Sequence, residues 1–327
     1  MNTAPVPSFF PWKPACWLRV EGPDAFDFLQ GQLSNDLRAL GSSGPGEAAG
    51  PREAVYGLWL NRKGRILGDG FVLRAGEERF CVCSYETSGE ALRAHLESFI
   101  VADEVELIDE SPNVAGLTLL DGAGAQTLLS DAGSLAPRVG GAFFTAPFGV
   151  RPGGSAGSVV EWVGPAAVRE ALVAELGGVK ALSADEMERR RILAKIPAVP
   201  RDLGEGELPQ EGGPDFERAA VSYTKGCYLG QEVMARVHSM GRVRRQLVQV
   251  CGHESLSEAL SVPALPAPLY LGDKKVGELR TAAGRGPELI GLALVSLLQL
   301  PKEAERVALS FGPNGEPALV ADLGQLS

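Results

Sequence analysis

The chain has 327 residues with 31 basic and 41 acidic side chains, which gives a formal net charge of −10 at pH 7. This acidic balance argues against non-specific binding to nucleic acid or to an anionic membrane. Hydrophobic residues make up 45% of the chain and charged residues 22%, proportions typical of globular proteins that bury a substantial core.

The first 14 residues are rich in proline and lack a basic segment followed by an apolar stretch, so no secretory signal peptide is predicted. No run of about 18 apolar residues occurs, so no membrane-spanning helix is expected. The five cysteines show no paired-ligand spacing. Because a chain of this length does not depend on disulfides, a reducing cytoplasm is the predicted location.

The first half of the chain alternates between predicted strands and predicted helices. A strand at residues 16–20 is followed by a helix that begins at residues 22–24 and carries apolar side chains at helical spacing. Strands at 55–60 and 66–73 flank a hairpin turn, Asn61-Arg62-Lys63-Gly64. A mobile loop is predicted at 41–51. The further predicted elements are strands at 80–83, 115–120 and 158–163 and helices at 87–101, 125–129 and 165–176.

Strand–helix–strand units with hairpins predict an α+β fold with ferredoxin-like (split βαβ) lobes rather than a doubly wound parallel sheet. Ser183 and Glu186 form a capping-box pattern at the start of a helix that continues to residue 193. Residues 197–214, rich in Pro, Gly and acids, are predicted to be extended.

After residue 240 the pattern changes to short apolar runs that are separated by Gly and Pro, which predicts a small all-β domain. We therefore place a domain boundary near Gly241, with an α+β body at 1–240 and a C-terminal domain at 241–327. Within the body, the expected lobes are residues 1–50 together with 151–240, and residues 51–150.

The stretch at 225–232, KGCYLGQE, predicts a functional site. It places the Cys227 thiol beside a cation, between two glycines and before a predicted helix at 229–237. A cation and a helix N-terminus both favour a thiolate, so Cys227 is predicted to be a functional thiol. Gly226 and Gly230 permit positive φ or close approach of a ligand. The residues leave open whether Cys227 is a nucleophile, a redox thiol or a ligand for a transient metal or cluster.

KGCYLGQE resembles the signature of the YgfZ family, folate-binding proteins that are linked to iron–sulfur cluster assembly. This family is related to the aminomethyltransferase (T protein) of the glycine cleavage system. Further matching stretches occur in the expected order, at residues 28–36 (FLQGQLSND), 61–67 (NRKGRIL), 191–197 (RILAKIP) and 208–211 (LPQE). The resemblance implies a GcvT-like body whose three lobes, including a small C-terminal β-barrel, surround a folate site.

The resemblance further implies tetrahydrofolate, or a folate derivative, as the cofactor and iron–sulfur proteins as clients. Effects on tRNA modification would be indirect, so no direct nucleic-acid partner and no membrane partner are expected. Lys225 would activate Cys227 or hold a folate carboxylate, and Asp69 would act on folate. The other predicted folate contacts are Tyr228, Gly226, Gly230, Gln231, Glu232 and Arg236.

Structural alternatives stand beside these roles. Lys225, Asp69 and Arg236 could be solvated surface charges, Tyr228 could fill the core, and Gln231 and Glu232 could cap the loop. The basic stretch at 242–245 is a candidate for binding an anion such as a polyglutamate tail. Cys81 and Cys83 share one face of a strand and His238 has no second ligand at metal spacing, so core packing is expected for the cysteines and no metal site is predicted.

Two departures from the T-protein pattern bear on catalysis. T proteins carry Gly-Gly-x-x-Asp-Asp after the equivalent hairpin, whereas residues 64–69 here read GRILGD, so Gly68 replaces one acid. Leu193 stands where T proteins carry a pterin-binding Glu. Because proton transfer and pterin recognition need placed carboxylates, a folate-binding accessory protein is favoured. The alternatives are a folate-dependent one-carbon transferase or demethylase and a binding module without chemistry, so enzymatic activity stays open.

Overall fold

The computed structural model describes residues 7–41, 53–120, 141–145, 159–176, 178–241, 243–256, 262–301 and 303–324. Its strands are β1 (Ser8–Trp12), β2 (Cys16–Glu21), β3 (Ala54–Leu60), β4 (Ile66–Arg74), β5 (Arg79–Ser84), β6 (Glu106–Asp109), β7 (Val114–Leu120), β8 (Ala142–Thr145), β9 (Val160–Pro165), β10 (Lys180–Ala181), β11 (Arg245–Gly252), β12 (Ala267–Leu271), β13 (Lys274–Ala283), β14 (Ile290–Ser296), β15 (Arg306–Leu309) and β16 (Leu319–Asp322). The α-helices are α1 (Ala25–Gln32), α2 (Gly89–Glu97), α3 (Ala166–Glu175), α4 (Ala184–Leu193), α5 (Pro214–Ala220) and α6 (Gln231–Met240). No helix in these ranges is long and apolar enough to cross a membrane.

One five-stranded sheet has the order β3-β4-β5-β2-β6. All its neighbouring strands are antiparallel, and β5 lies between β4 and β2, which therefore run in the same direction. The apolar face of α1 packs on this sheet through Phe28 and Leu29. This is the predicted split βαβ arrangement with β3 added at one edge.

A second five-stranded sheet has the order β10-β1-β7-β9-β8. Its strand β1 comes from the proline-rich opening of the chain, for which no strand is predicted. The strand buries Phe9 and Trp12, and Pro11 lies beyond the pairing with β10, which involves Ser8 and Phe9, so its missing N–H breaks no bond to β10. Leu172 and Leu176 cover the same cluster as Phe9 from α3 and the turn after it.

The C-terminal strands form a six-stranded sheet with the order β12-β13-β14-β11-β16-β15. Two backbone hydrogen bonds join Tyr270 of β12 to Ser310 beyond β15, at 2.9 and 3.0 Å, so the sheet curls until its edges meet. Val250, Leu279 and Leu319 are among the residues that fill its separate apolar core. The α+β fold with a small curled C-terminal β-domain is therefore confirmed.

Several local predictions can be compared directly. The capping box of Ser183 and Glu186 is present at the start of α4, and the turn at 61–64 joins β3 to β4. The predicted extended run 197–214 is wrong in its last part, where residues 209–212 form a 3-10 helix. The loop at 42–51, the helix at 125–129 and the first residue of the strand at 158–163 lie outside the described residues.

The domain boundaries stay a prediction. Strand pairing adds one detail to them, because β2, from the predicted lobe 1–50, lies in the same sheet as β3, β4 and β5 of the predicted lobe 51–150. Strand β1, in contrast, shares a sheet with β7 through β10.

Candidate functional site

Four of the five stretches that carry the sequence resemblance meet around residues 221–230, which we call the thiol loop: 28–36, 61–67, 208–211 and 225–232. The N–H of Leu229 donates to the carbonyl oxygen of Gly31 at 3.1 Å, which joins this loop to the end of α1. The hairpin turn at 61–64 packs against Gly230, and Gln210 Nε2 donates to Tyr223 Oη at 2.9 Å. Four segments that are far apart in sequence thus form one site.

Gly230 must be glycine at this junction. Its φ is +85°, in the left-handed region, and a Cβ at this position would lie 2.6 Å from Asn61 O. The following helix α6 begins at Gln231, two residues later than predicted, because Gly230 is its N-terminal flanking residue. Gly226 differs, since a Cβ there would meet no described atom within 4 Å.

Cys227 is solvent-exposed, whereas Cys16, Cys81 and Cys83 are buried. The core packing predicted for Cys81 and Cys83 is confirmed by their place in the largest apolar cluster. Within the described parts of the chain, Cys227 is the exposed thiol, and Cys251 is half-buried. Cys227 is therefore the thiol best placed to react with another molecule.

Lys225 is buried, with 5% of its surface exposed. Its ammonium group donates to the carbonyl oxygens of Gln30, Leu33 and Asn35 at 2.6, 2.7 and 2.9 Å. A protonated amine has three N–H donors, so none is left for a folate carboxylate or for Cys227. The solvated-charge alternative is wrong, and the predicted role as a donor to ligand or thiol is not supported by this geometry.

Tyr228 packs in the core with 7% of its surface exposed. Burial raises the pKa of its hydroxyl to about 12, and that hydroxyl has no hydrogen-bond partner among the described residues. The ring lies 5.1 Å from the ammonium nitrogen of Lys225. Tyr228 therefore fills the core, as the structural alternative predicts, and its ring packs over the ammonium group of Lys225.

The other candidates lie on α6 and after it. The backbone N–H of Gln231 donates to Tyr228 O at 3.1 Å and closes the turn before α6, and the role of the Gln231 side chain stays a prediction. Glu232 and Arg236 are exposed and pair with each other at 3.1 Å across one helical turn. In the basic stretch, Arg242 lies outside the described residues and Arg245 pairs with the buried Glu211 at 2.9 Å, so Arg245 is already neutralised.

Asp69 lies elsewhere, in β4 at the wall of a cavity of about 410 Å³ that we call the Asp69 cavity. Its side chain is 5% exposed, so the surface alternative is wrong. Oδ2 accepts from Tyr56 Oη at 2.9 Å, and Oδ1 accepts from Ser84 Oγ and Thr87 Oγ1 at 2.8 and 3.0 Å. Burial raises the pKa of Asp69 to about 6, although these three hydrogen bonds oppose the shift.

The Asp69 cavity combines aromatic and charged walls. It is lined by Phe10, Trp12, Lys13, Asp69, Tyr85, Glu86, Ala184, Asp185, Met187, Glu188, Arg191, Pro197, Ala198, Val199 and Arg201. None of the residues 225–232 lines it. Sequence-predicted residues therefore fall into two places, Asp69 in the cavity and the remainder at the thiol loop.

Ionic contacts close one side of this cavity. Arg201 pairs with Glu86 at 2.7 Å and with Glu188 at 2.8 Å, and Arg191 pairs with Glu188 at 2.7 Å and with the fully buried Asp202 at 2.6 Å. The arginines hold the pKa of Glu188 below its usual range despite its burial. These side chains form a fixed, polar floor of the cavity.

Glu161 is a further site residue that sequence reasoning missed. It is fully buried and accepts from Trp12 Nε1 at 3.1 Å, Tyr85 Oη at 2.7 Å and Thr118 Oγ1 at 2.7 Å. The rings of Trp12 and Tyr85 lie edge to face, 4.7 Å apart, and both line the cavity. The sequence did carry one signal for this residue, since Glu161 is the single acid in an otherwise apolar strand. A carboxylate buried in this way needs hydrogen-bond donors nearby.

The two departures from the T-protein pattern also have a structural setting. A Cβ on Gly68 would lie 2.4 Å from Thr87 Cγ2, so this position has no room for an acid unless Thr87 moves. Leu193 is 55% exposed and does not line the Asp69 cavity.

Comparison with known proteins agrees with this architecture. Residues 15–136 match the family model described as GCVT N-terminal domain. The chain is 31% identical over 294 residues to the iron–sulfur cluster assembly factor IBA57, mitochondrial, of Homo sapiens, a match that covers 85% of this chain and 74% of the relative. It is 31% identical over 273 residues to the tRNA-modifying protein YgfZ of Edwardsiella ictaluri, covering 80% and 74% respectively.

Among solved structures, the aminomethyltransferase T of the glycine cleavage system from Bartonella henselae superposes with a TM-score of 0.69. The match covers 98% of this chain and 86% of that structure at 19% sequence identity. At this identity the likeness establishes the shared fold.

Proposed function

Because the chain belongs to the family of the IBA57 and YgfZ proteins within the GcvT-like fold, we propose that it is an accessory protein for the assembly or repair of iron–sulfur enzymes. In this proposal it binds tetrahydrofolate, or a folate derivative, in the Asp69 cavity and acts through the Cys227 thiol. The observation that carries the proposal is the exposure of Cys227 on a loop built by the shared sequence stretches.

The size of the cavity and the chemistry of its walls suit a folate. A volume of about 410 Å³ lies in the range of small-molecule sites. Trp12, Tyr85 and Phe10 offer apolar walls to a flat pterin ring, and Asp69 offers a carboxyl group that exchanges a proton near pH 6. Folate supplies one-carbon chemistry when it is bound, and the chain's own residues bind it and exclude water.

Cys227 supplies the reactive sulfur atom. Its sulfur lies in solvent rather than in the cavity, so it can meet a client protein or a cluster carrier directly. Iron–sulfur proteins are the proposed clients, any effect on tRNA modification is indirect, and the cytoplasm is the proposed location. Relatives are named as mitochondrial factors and as a tRNA-modifying protein.

Aminomethyl transfer is the disfavoured alternative. It needs placed carboxylates, and the second acid of the T-protein pair would fit at Gly68 only if the Thr87 side chain moved away from its hydrogen bond to Asp69. A folate-dependent transferase would form methylenetetrahydrofolate from an aminomethyl or N-methyl donor, which gives a direct assay for this alternative.

The decisive experiment is calorimetric titration with tetrahydrofolate, with complementation of a deletion strain in parallel, for wild type, Cys227→Ala and Cys251→Ala. We expect all three to bind folate with micromolar affinity, about −8 kcal/mol, and Cys227→Ala alone to lose complementation. Full complementation by Cys227→Ala would refute the role of the thiol. Absence of folate binding in the folded wild type would refute the role of the cavity.

A further inference from the structure

The ammonium group of Lys225 lies in a cage of three backbone carbonyl oxygens, from Gln30, Leu33 and Asn35. The Nζ–O distances of 2.6–2.9 Å are those of charge-assisted hydrogen bonds. The Tyr228 ring covers the same cation at 5.1 Å. Among the described residues no carboxylate bonds to this ammonium group, so carbonyl dipoles and a ring hold the cation in place.

This cage lies at the C-terminal end of α1. The last carbonyl groups of a helix have no partner within the helix, and a cation there also interacts favourably with the helix dipole. Lys225 satisfies the carbonyl of Gln30, and the N–H of Leu229 satisfies that of Gly31. The thiol loop therefore caps α1, and Cys227 lies midway between the two attachment points.

The carbonyl cage is itself fixed to the neighbouring sheet. Ser34 Oγ donates to Ala220 O at 2.6 Å and accepts from the N–H of Leu58 at 2.8 Å. Asn35 Nδ2 donates to Tyr56 O at 2.8 Å. The segment that binds Lys225 is consequently anchored on β3, so the position of the ammonium group is defined relative to the body of the fold.

We propose that Lys225 is a positioning residue, which docks the thiol loop on the end of α1 through the hydrogen bonds from its ammonium group to the three carbonyl oxygens. It acts on the thiol through the backbone and makes no hydrogen bond to the sulfur atom or to folate. The importance of the docking for activity rests on the proposed function of Cys227, whereas the docking itself is independent of that function.

Protonation of Lys225 sets a pH limit to this docking. Burial lowers the pKa of Lys225 to about 8, while Asp36 opposes and Arg38 adds to this effect. The pKa of Asp36 is itself lowered by Arg38, so both stay charged, and the pKa of Tyr228 is raised to about 12. With this pKa, Lys225 loses its charge between pH 7 and 9, and its neutral amine has one donor fewer for the three carbonyls.

The test uses the full chain in a Cys251→Ser background with a nitroxide spin label on Cys227, since the other cysteines are buried. Variants are Lys225→Ala, Lys225→Met, which keeps the apolar stem, and Lys63→Met. Lys63 is the matched control because it is an exposed lysine in the turn that packs beside the loop. Amide exchange of Leu229 is measured alongside the mobility of the label.

We expect both Lys225 variants to increase label mobility and to speed Leu229 exchange at least tenfold, while amides in β5 stay protected. Millimolar n-butylammonium should restore order in Lys225→Ala, and n-butanol should not. The parent should show a mobility increase between pH 7 and 9 that Lys225→Met lacks. Lys63→Met should match the parent throughout.

Three results would overturn the proposal. The first is a folded Lys225→Met variant with parent-like label mobility and Leu229 exchange. The second is equal restoration by butanol, which would reduce Lys225 to apolar packing. The third is an equal effect of Lys63→Met, which would show that the loop responds to loss of any nearby positive charge and not to loss of the carbonyl cage. None of these readouts depends on folate or on clients, so an ordered loop without complementation would refute the proposed function alone.

Discussion

Tyr56 donates a hydrogen bond from its hydroxyl to Oδ2 of Asp69 at 2.9 Å, with both groups buried. The carbonyl oxygen of the same Tyr56 accepts from Asn35, whose own carbonyl accepts from Lys225. One tyrosine in β3 therefore contacts the carboxyl of the Asp69 cavity with its side chain and the anchor of the thiol loop with its backbone. The two candidate centres share a single strand as their support.

Replacing Asp69 with Asn should remove a loss of stability that wild type shows as pH rises. The folded-state pKa of about 6 lies above the ordinary value of 3.8, so ionisation of Asp69 costs stability as pH rises through this interval. The shift corresponds to about 3 kcal/mol. We expect the free energy of unfolding of wild type, relative to Asp69→Asn, to fall by about 2–3 kcal/mol between pH 4 and 7.

Chemical denaturation at a series of pH values measures this difference. Asp36→Asn is the control of opposite sign, because Arg38 lowers the pKa of Asp36 and its stabilising effect is lost as pH falls. Parallel curves for wild type and Asp69→Asn would contradict the buried, ionisable state of Asp69.

The two glycines of the signature should respond differently to alanine. Gly230→Ala should destabilise the protein by about 1–3 kcal/mol, because its positive φ and the nearby Asn61 carbonyl oppose a Cβ. Gly226→Ala meets no described neighbour and should change the free energy of unfolding by less than about 0.5 kcal/mol. Thermal and urea unfolding of both variants tests this contrast, and equal losses would be inconsistent with the packing of the 61–64 turn on Gly230.

Arg191→Met should be among the most damaging single changes at the cavity floor. It leaves the carboxylate of Asp202, which is 0% exposed, without its cation, and we expect a loss of about 3–5 kcal/mol. Arg218→Met removes an exposed pair with Asp215 and should have an effect within about 0.5 kcal/mol. Urea unfolding compares the two; similar values would show that burial of the pair does not matter.

Thiol titration of the native protein should distinguish the cysteines by their surroundings. We expect Cys227 to react first with a thiol reagent, Cys251 to react more slowly, and the remaining three to react after unfolding. Burial and neighbouring acids raise the pKa of Cys16 to about 12, which adds to its protection. Cys227→Ser should abolish the fast phase, and a fast phase that survives in this variant would assign the reactive thiol elsewhere.

The sequence predicted the parts of the fold that depend on local pattern. The hairpin at 61–64 and the capping box at Ser183 both follow from short-range chemistry. The surroundings of Lys225 and Asp69 did not, because burial depends on segments distant along the chain. Lys225 takes its three partners from backbone carbonyls at residues 30–35. Backbone carbonyls leave no mark in the sequence, so residue spacing could not predict these contacts.

The aromatic wall of the cavity was also beyond local pattern. Trp12 lies in a strand that the proline-rich opening gave no reason to predict. Glu161 accepts from Trp12 in its own sheet and from Tyr85, which directly follows β5 of the other five-stranded sheet. A lone acid in an apolar strand indicates a buried partner, but the sequence does not identify that partner.

The ion pairs of Arg245 join the C-terminal sheet to the rest of the chain. Arg245 begins the C-terminal sheet and neutralises Glu207 and Glu211 of the body, each of whose side chains is 6% exposed, and Arg280 contacts Glu207 as well. A fragment that ends near residue 240 would keep both acids and lose both arginines. The C-terminal sheet thus supplies the counter-charge for these acids, and its Leu247, Leu292 and Leu294 complete the apolar cluster of the body. Expression of residues 1–240 alone should therefore expose apolar surface and give an aggregation-prone product, and co-expression of residues 241–327 should rescue it.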